Sequence, residues 1–159
     1  GVLANGHTYM SHAVACAGAL AVLDCMDDDL LSNVRARGGR LEAALRDRFA
    51  AHPYVGDIRG RGLFYSVELV ADRATKQPLP PNRGLAERIK VAALEHGLVC
   101  YPSSGSVDGE AGEHVLLAPP YIVTSAQIDE IVDKLAATFT TVLPAAAAHA
   151  DRPRASTTL

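Results

Sequence analysis

Apolar side chains recur along the chain at spacings that predict helices first and strands afterwards. Residues 10–26 are almost all Ala, Val, Leu, Cys and Gly, which is typical of a helix packed closely on several sides. Three aspartates then begin a second helix, where negative charge suits the helix dipole. Its apolar positions recur at helical spacing, at Leu30, Val34, Leu41, Leu45 and Phe49. Gly38 and Gly39 lie inside this helix, and they indicate a kink or the close approach of another element.

The middle of the chain has the alternation of a strand. Residues 54–59 predict a short strand, and Gly60-Arg61-Gly62 predicts a turn or bulge. Residues 63–70 then alternate, so that one face carries Leu63, Tyr65, Val67 and Leu69. Residues 71–83 hold three prolines and predict a loop.

The last part of the chain predicts helix, strand, strand and helix. A helix from Leu85 has a suitable cap in Gly97. Strands are predicted at 98–101 and 115–118, with a polar loop, 103–113, between them. Thr124 and Gln127 form a capping box, and the helix that follows buries Ile128, Ile131, Val132, Leu135 and Phe139. The whole order favours a small α+β sheet covered by helices and preceded by a helix that needs another covering surface.

Composition excludes several classes of function. Hydrophobic residues make up 48% and charged residues 21%, with a net charge of -3, so no basic stripe for nucleic acid is expected. The six histidines lack metal-ligand spacing, so we predict no metal site. The longest apolar stretch, 13–23, is too short to span a membrane, and no membrane partner is expected.

The cysteines and the first residues bear on localisation. Cys16, Cys25 and Cys100 are an odd number in no recognisable pattern, which favours free thiols in a reducing, cytoplasmic compartment. Residues 1–9 contain no basic region, so they do not resemble a signal peptide. They read as the middle of a longer protein.

One candidate site precedes the first helix. Gly6-His7-Thr8 could bind an anion at the helix start through backbone N–H groups and the threonine hydroxyl. Alternatively, Thr8 only caps its own helix.

Two other patterns have structural explanations. Gly60-Arg61-Gly62 lies between two strands rather than before a helix, so it is not a dinucleotide loop, and Arg61 is interpreted as structural. Asp108, Glu110 and Glu113 do not have EF-hand spacing and are interpreted as a solvated loop.

Three longer segments resemble one family in the order in which the family has them. They are GHTYMSHAVACAGALAVL at 6–23, VGDIRGRGLFYSVELV at 55–70 and GEHVLLAPPYIVTSAQIDEIVDKL at 112–135. Together they resemble class III pyridoxal-phosphate-dependent aminotransferases, the omega-transaminase and GABA-transaminase group, over roughly residues 1–142.

The resemblance implies an α/β protein of the pyridoxal-phosphate-dependent transferase fold type I, working as a homodimer. This chain would be its carboxy-terminal part. Residues 1–26 would end the large cofactor-binding domain and connect it, 27–142 would form the small α+β domain, and 143–159 would be a disordered tail. The substrates would be an amine or amino acid and a keto acid or aldehyde.

The resemblance also assigns the site. Thr8 matches the threonine that binds the phosphate of pyridoxal 5'-phosphate in the neighbouring subunit, and His7 lies beside it. The family's cofactor-binding lysine lies upstream of this block. Lys76, Lys90 and Lys134 are expected at the surface, so the cofactor site is incomplete and no catalytic residue is predicted.

Two departures from the family pattern leave the substrate open. Ala13 stands where relatives usually have proline, and the stretch 107–111 has no substrate-carboxylate arginine. Two hypotheses follow: part of a working transaminase, or a non-catalytic folded remnant with a structural or protein-interaction role.

Overall fold

The computed structural model describes residues 6–79 and 84–150, which hold four helices and five strands. In chain order these are α1 (Ala13–Asp24), α2 (Asp28–Phe49), β1 (Val55–Arg61), β2 (Phe64–Asp72), β3 (Gln77–Pro78), α3 (Leu85–Glu95), β4 (Tyr101–Ser104), β5 (Glu113–Leu117) and α4 (Ser125–Ala150).

Four strands form an antiparallel sheet in the order β1-β2-β5-β4, and the short β3 pairs with β2. Val67 stands at its centre, opposite Ile58 on β1 and Val115 on β5. Helix α4 packs against both α2 and α3. The core lies between the sheet and these helices, and its largest fully buried side chains are Leu41, Leu45, Phe49, Leu69, Leu85, Ile89, Ile128, Leu135, Phe139 and Leu143. The predicted helix-covered sheet is confirmed.

Local capping sets the helix ends where the sequence predicts them. The Asp27 carboxylate accepts a hydrogen bond from the Leu30 N–H at 2.8 Å and begins α2. Thr124 and Gln127 exchange hydrogen bonds at 2.9 and 3.3 Å, which confirms the capping box of α4. Gly97 has φ +72° and follows α3, which confirms its role as a cap.

Gly38 marks a close contact between α2 and the β1–β2 turn. An ideal Cβ on Gly38 would lie 2.3 Å from the Gly62 carbonyl oxygen. Gly62 itself has φ +60°, a left-handed conformation that glycine adopts without strain. The close approach predicted at Gly38 is therefore confirmed, whereas a Cβ on Gly39 would meet no atom within 4 Å.

Several boundaries differ from the prediction. Strand β1 continues through Arg61, and the turn is Gly62-Leu63. Strand β4 begins at Tyr101, because Leu98 closes the end of α3 by donating its N–H to the Ala93 carbonyl. The predicted loop 71–83 contains β3, and its residues 80–83 lie outside the described ones.

The tail predicted as disordered from residue 143 differs from the structure up to residue 150. Helix α4 continues through Pro144 to Ala150, and Leu143 is buried in the core. Alanine is the strongest helix former, so an alanine-rich stretch extends a helix that is already packed. Residues 151–159 lie outside the described ones, and the domain boundaries after 26 and 142 stay predictions.

Glu113 is not part of a solvated loop, and that interpretation was wrong. It is the first residue of β5, it is 2% exposed, and it alternates with Val115 and Leu117 on the core face. Burial raises the pKa of its carboxyl, while a hydrogen bond with the Ser104 side chain acts in the opposite direction. Its Oε2 atom has no hydrogen-bond partner among the described residues.

Glu113→Gln is expected to stabilise the fold at pH 7 by about 1 kcal/mol, because it removes a buried carboxylate with an unsatisfied oxygen. A raised pKa means that the folded state prefers the protonated acid. The protonated Glu113 carboxyl therefore contributes fully to stability below the unfolded-state pKa, and this contribution is lost as the pH rises through the folded-state pKa. Urea unfolding of both proteins from pH 4 to pH 8 should show the difference growing with pH. A difference independent of pH would contradict the assignment.

Candidate functional site

Helix α1 lies outside the core. None of its residues is buried, and its large apolar side chains are exposed, as are those just before it: Tyr9, Met10, Val14, Leu20, Val22 and Leu23. A helix that is apolar nearly all round needs a covering surface. The structure leaves that surface of α1 open.

His7 and Thr8 lie in a turn before α1, and both are exposed. The His7 carbonyl accepts a hydrogen bond from the Met10 N–H at 3.0 Å. Helix α1 begins only at Ala13, and its cap is His12, whose Nδ1 accepts from the Ala15 N–H at 3.3 Å. The alternative that Thr8 caps this helix is therefore wrong.

Thr8 also does not stand at the start of α1, since residues 9–12 separate it from the first helical residue. The N–H groups at the start of α1 therefore do not support the anion site predicted at Gly6-His7-Thr8. The Thr8 hydroxyl forms no hydrogen bond to the residues described around it, so it is accessible to a ligand or to another subunit. His7 is equally accessible. What they bind stays a prediction from the resemblance.

All three lysines are engaged at the surface. The Lys76 ammonium donates to the Gly56 carbonyl. Lys90 pairs with Glu87 at 3.4 Å, and Lys134 pairs with Glu130 at 2.6 Å. Lys76 and Lys134 each border a surface cleft, but in both the ammonium is already held by the contact named above rather than free to bind a cofactor covalently. The described residues therefore fit at most the phosphate edge of a pyridoxal-phosphate site.

The cysteines and acidic groups offer no other centre within the described ranges. Cys16, Cys25 and Cys100 are free, and burial raises the pKa of the Cys100 thiol to about 11, so it is protonated at neutral pH. No group of three or more His, Cys, Asp or Glu side chains among residues 6–79 and 84–150 could hold a metal ion. No described helix is both long enough and apolar enough to cross a membrane.

A cleft of about 920 Å³ lies between α2, the β1–β2 turn and residues 118–121. Arg35 and Arg61 line it together with several apolar side chains. Arg61, which the sequence interprets as structural, lines this cleft, and that interpretation stays a prediction. Gly38 and Gly62 are the sequence features that indicate this cleft, because their lack of a side chain lets the turn lie against the helix.

The class-III aminotransferase family model matches residues 2–139 of this chain. An uncharacterised aminotransferase of Schizosaccharomyces pombe is 44% identical over 144 residues, which cover 90% of this chain and 31% of that protein. A taurine–pyruvate aminotransferase of Bilophila wadsworthia is 39% identical over 127 residues, covering 79% of this chain and 27% of that protein. The chain thus spans about three tenths of the length of these relatives.

Solved structures agree with the sequence matches. An omega-transferase of Vibrio fluvialis superimposes with a TM-score of 0.74 at 36% identity, over 92% of this chain and 33% of that one. An (S)-enantioselective omega-transaminase of Thermomicrobium roseum gives a TM-score of 0.72 at 34% identity, over 90% and 30% of the two chains. These matches confirm the predicted fold type.

Proposed function

The chain belongs to the class III aminotransferase family, and on this premise we propose that it is the carboxy-terminal portion of a pyridoxal-phosphate-dependent transaminase. The complete protein would move an amino group between an amine or amino acid and a keto acid or aldehyde. The observation that carries the proposal is the family match across residues 2–139, supported by transaminase structures that cover about nine tenths of the chain.

In this proposal Thr8 binds the cofactor phosphate of the neighbouring subunit in a homodimer, with His7 beside it. The accessible turn and the uncovered α1 support a contact outside the chain's own core. When bound, the cofactor supplies an electron sink for the reacting carbon. Thr8 only binds and orients the phosphate.

The second candidate is a folded remnant without catalytic activity. One observation favours it: Lys76, Lys90 and Lys134 are all held by surface contacts, while α2, α3 and α4 share one buried core with the sheet. Such a chain would act through its surface.

A chimera separates the two candidates. We expect the S. pombe relative to keep transaminase activity when its matching segment is replaced by residues 1–142 of this chain, because the segments are 44% identical. The assay is amino transfer from several amines to pyruvate, together with cofactor absorbance. The control replaces the relative's own cofactor lysine by alanine and should be inactive.

A folded chimera with neither activity nor cofactor absorbance would favour the remnant. Circular dichroism and sedimentation should first show that the chimera has the secondary structure and the subunit number of the parent.

A further inference from the structure

The cleft beside α2 is held open by contacts on both sides. On one side the β1–β2 turn rests on Gly38, with Gly62 packed against the helix. On the other side the Asn33 side-chain amide donates to the Tyr121 carbonyl at 2.6 Å and to the Val123 carbonyl at 3.3 Å. These contacts fix both walls to the same helix, so the cleft is preformed.

Two arginines that line this cleft, Arg35 and Arg61, are exposed and have no compensating charge among the described residues. Neither Arg35 nor Arg61 forms an ion pair or a side-chain hydrogen bond with any described residue, whereas Arg40 pairs with Asp129 and Arg46 pairs with Glu42. The carboxylate that does line the cleft belongs to Glu42. It already accepts from Arg46 and from the Tyr65 hydroxyl, and these hydrogen bonds, Arg46 first, hold its pKa below the usual value. The cleft therefore offers two positive charges for an anion.

The walls of the cleft are apolar and partly exposed. Leu31 is 38% exposed, Phe64 is 58% exposed and Tyr121 is 43% exposed. Val34, Pro119 and Pro120 complete the apolar lining. Three large apolar side chains around one preformed cleft favour a ligand with an apolar body.

We propose that this cleft binds a free amphipathic carboxylate, with its apolar body against Leu31, Phe64 and Tyr121 and its carboxylate between Arg35 and Arg61. The planar fork of arginine matches the two oxygens of a carboxylate. The site lies within the helix-covered domain and does not depend on Thr8 or on the proposed transaminase function.

Equilibrium dialysis of the full chain with radiolabelled phenylacetate tests the site. Saturable binding is expected, and Arg35→Gln and Arg61→Gln should each weaken it at least about fivefold, since hydrogen bonds to charged groups are lost. Arg48→Gln is the matched control, because Arg48 is on α2 but does not line the cleft. It should change the affinity less than about twofold, as an exposed charge outside the site.

Ligand controls test each half of the proposal. Acetate lacks the apolar body and phenethylamine lacks the carboxylate, so both should bind at least about tenfold more weakly. Equal binding of phenethylamine, absence of saturation, or unchanged affinity in both arginine variants would overturn the proposal. Tighter binding of acetyl-Asp-Phe-amide would assign the cleft to a polypeptide side chain and would also overturn it. Circular dichroism checks that each variant is folded. If Arg61→Gln does not fold, the affinity of Arg35→Gln alone tests the proposal.

Discussion

Gly38→Ala is expected to destabilise the protein by about 1–3 kcal/mol, because the added methyl group overpacks a backbone contact. The new Cβ would lie 2.3 Å from the Gly62 carbonyl oxygen and 2.6 Å from its carbonyl carbon. Both are backbone atoms of a turn anchored between two strands, so they cannot yield as a flexible side chain would. The gain in helix propensity, about 1 kcal/mol, offsets only part of this cost.

Gly39→Ala is the matched control, one residue along the same helix. Its Cβ would meet no atom within 4 Å, so the variant is expected to gain about 0.5–1 kcal/mol from helix propensity alone. Urea unfolding followed by circular dichroism measures both variants. Equal stabilisation by the two substitutions would show that the turn does not rest on α2.

Loss of the Thr8 hydroxyl is expected to weaken cofactor binding in the chimera with the S. pombe relative. Thr8→Ala is expected to weaken cofactor binding by about 1–2 kcal/mol, the scale of a hydrogen bond to a charged group. If Thr8 reaches the neighbouring subunit's cofactor, this loss acts in trans. Titration of the apo-chimera with pyridoxal phosphate measures the loss directly.

Mixed dimers then test which subunit Thr8 serves. One assortment combines a Thr8→Ala subunit with a subunit that lacks the cofactor lysine, and it should retain one intact site. The other places both substitutions in one chain beside an unaltered partner, and it should retain none. The reverse pattern would show that Thr8 binds the cofactor of its own subunit. Ser11→Ala, placed in the same turn instead of Thr8→Ala, is the control for general effects on the turn.

Local chemistry made several elements predictable from the sequence. Asp27, Gly97 and the pair Thr124–Gln127 act through hydrogen bonds to neighbours three or four residues away, so their effects do not depend on the rest of the fold. The alternation of residues 63–70 likewise identifies the buried face formed by Leu63, Tyr65, Val67 and Leu69, while Ser66 and Val70 on the opposite face are buried as well.

Long-range contacts decided what the sequence could not predict. Glu113 is buried because the pairing of β5 between β2 and β4 turns its side chain to the core face of the sheet, and a count of polar residues in the loop gives no sign of this. The cleft likewise needs α2, the β1–β2 turn and residues 118–121 to meet. Thr8 shows a third case, because the turn at 8–11 moves the helix start to Ala13 and leaves the cap to His12.

The exposure of α1 also has a consequence for how this chain would assemble. A helix of 12 residues with no buried side chain is marginal in water, so α1 would fold and unfold locally while the core stays intact. Docking onto a covering surface would then order α1 and bury its apolar side chains in one step. Part of the binding free energy would be used for that ordering, as in coupled folding and binding. Amide hydrogen exchange in residues 13–24 would therefore report assembly, while exchange in α2 and α4 would report the stability of the core.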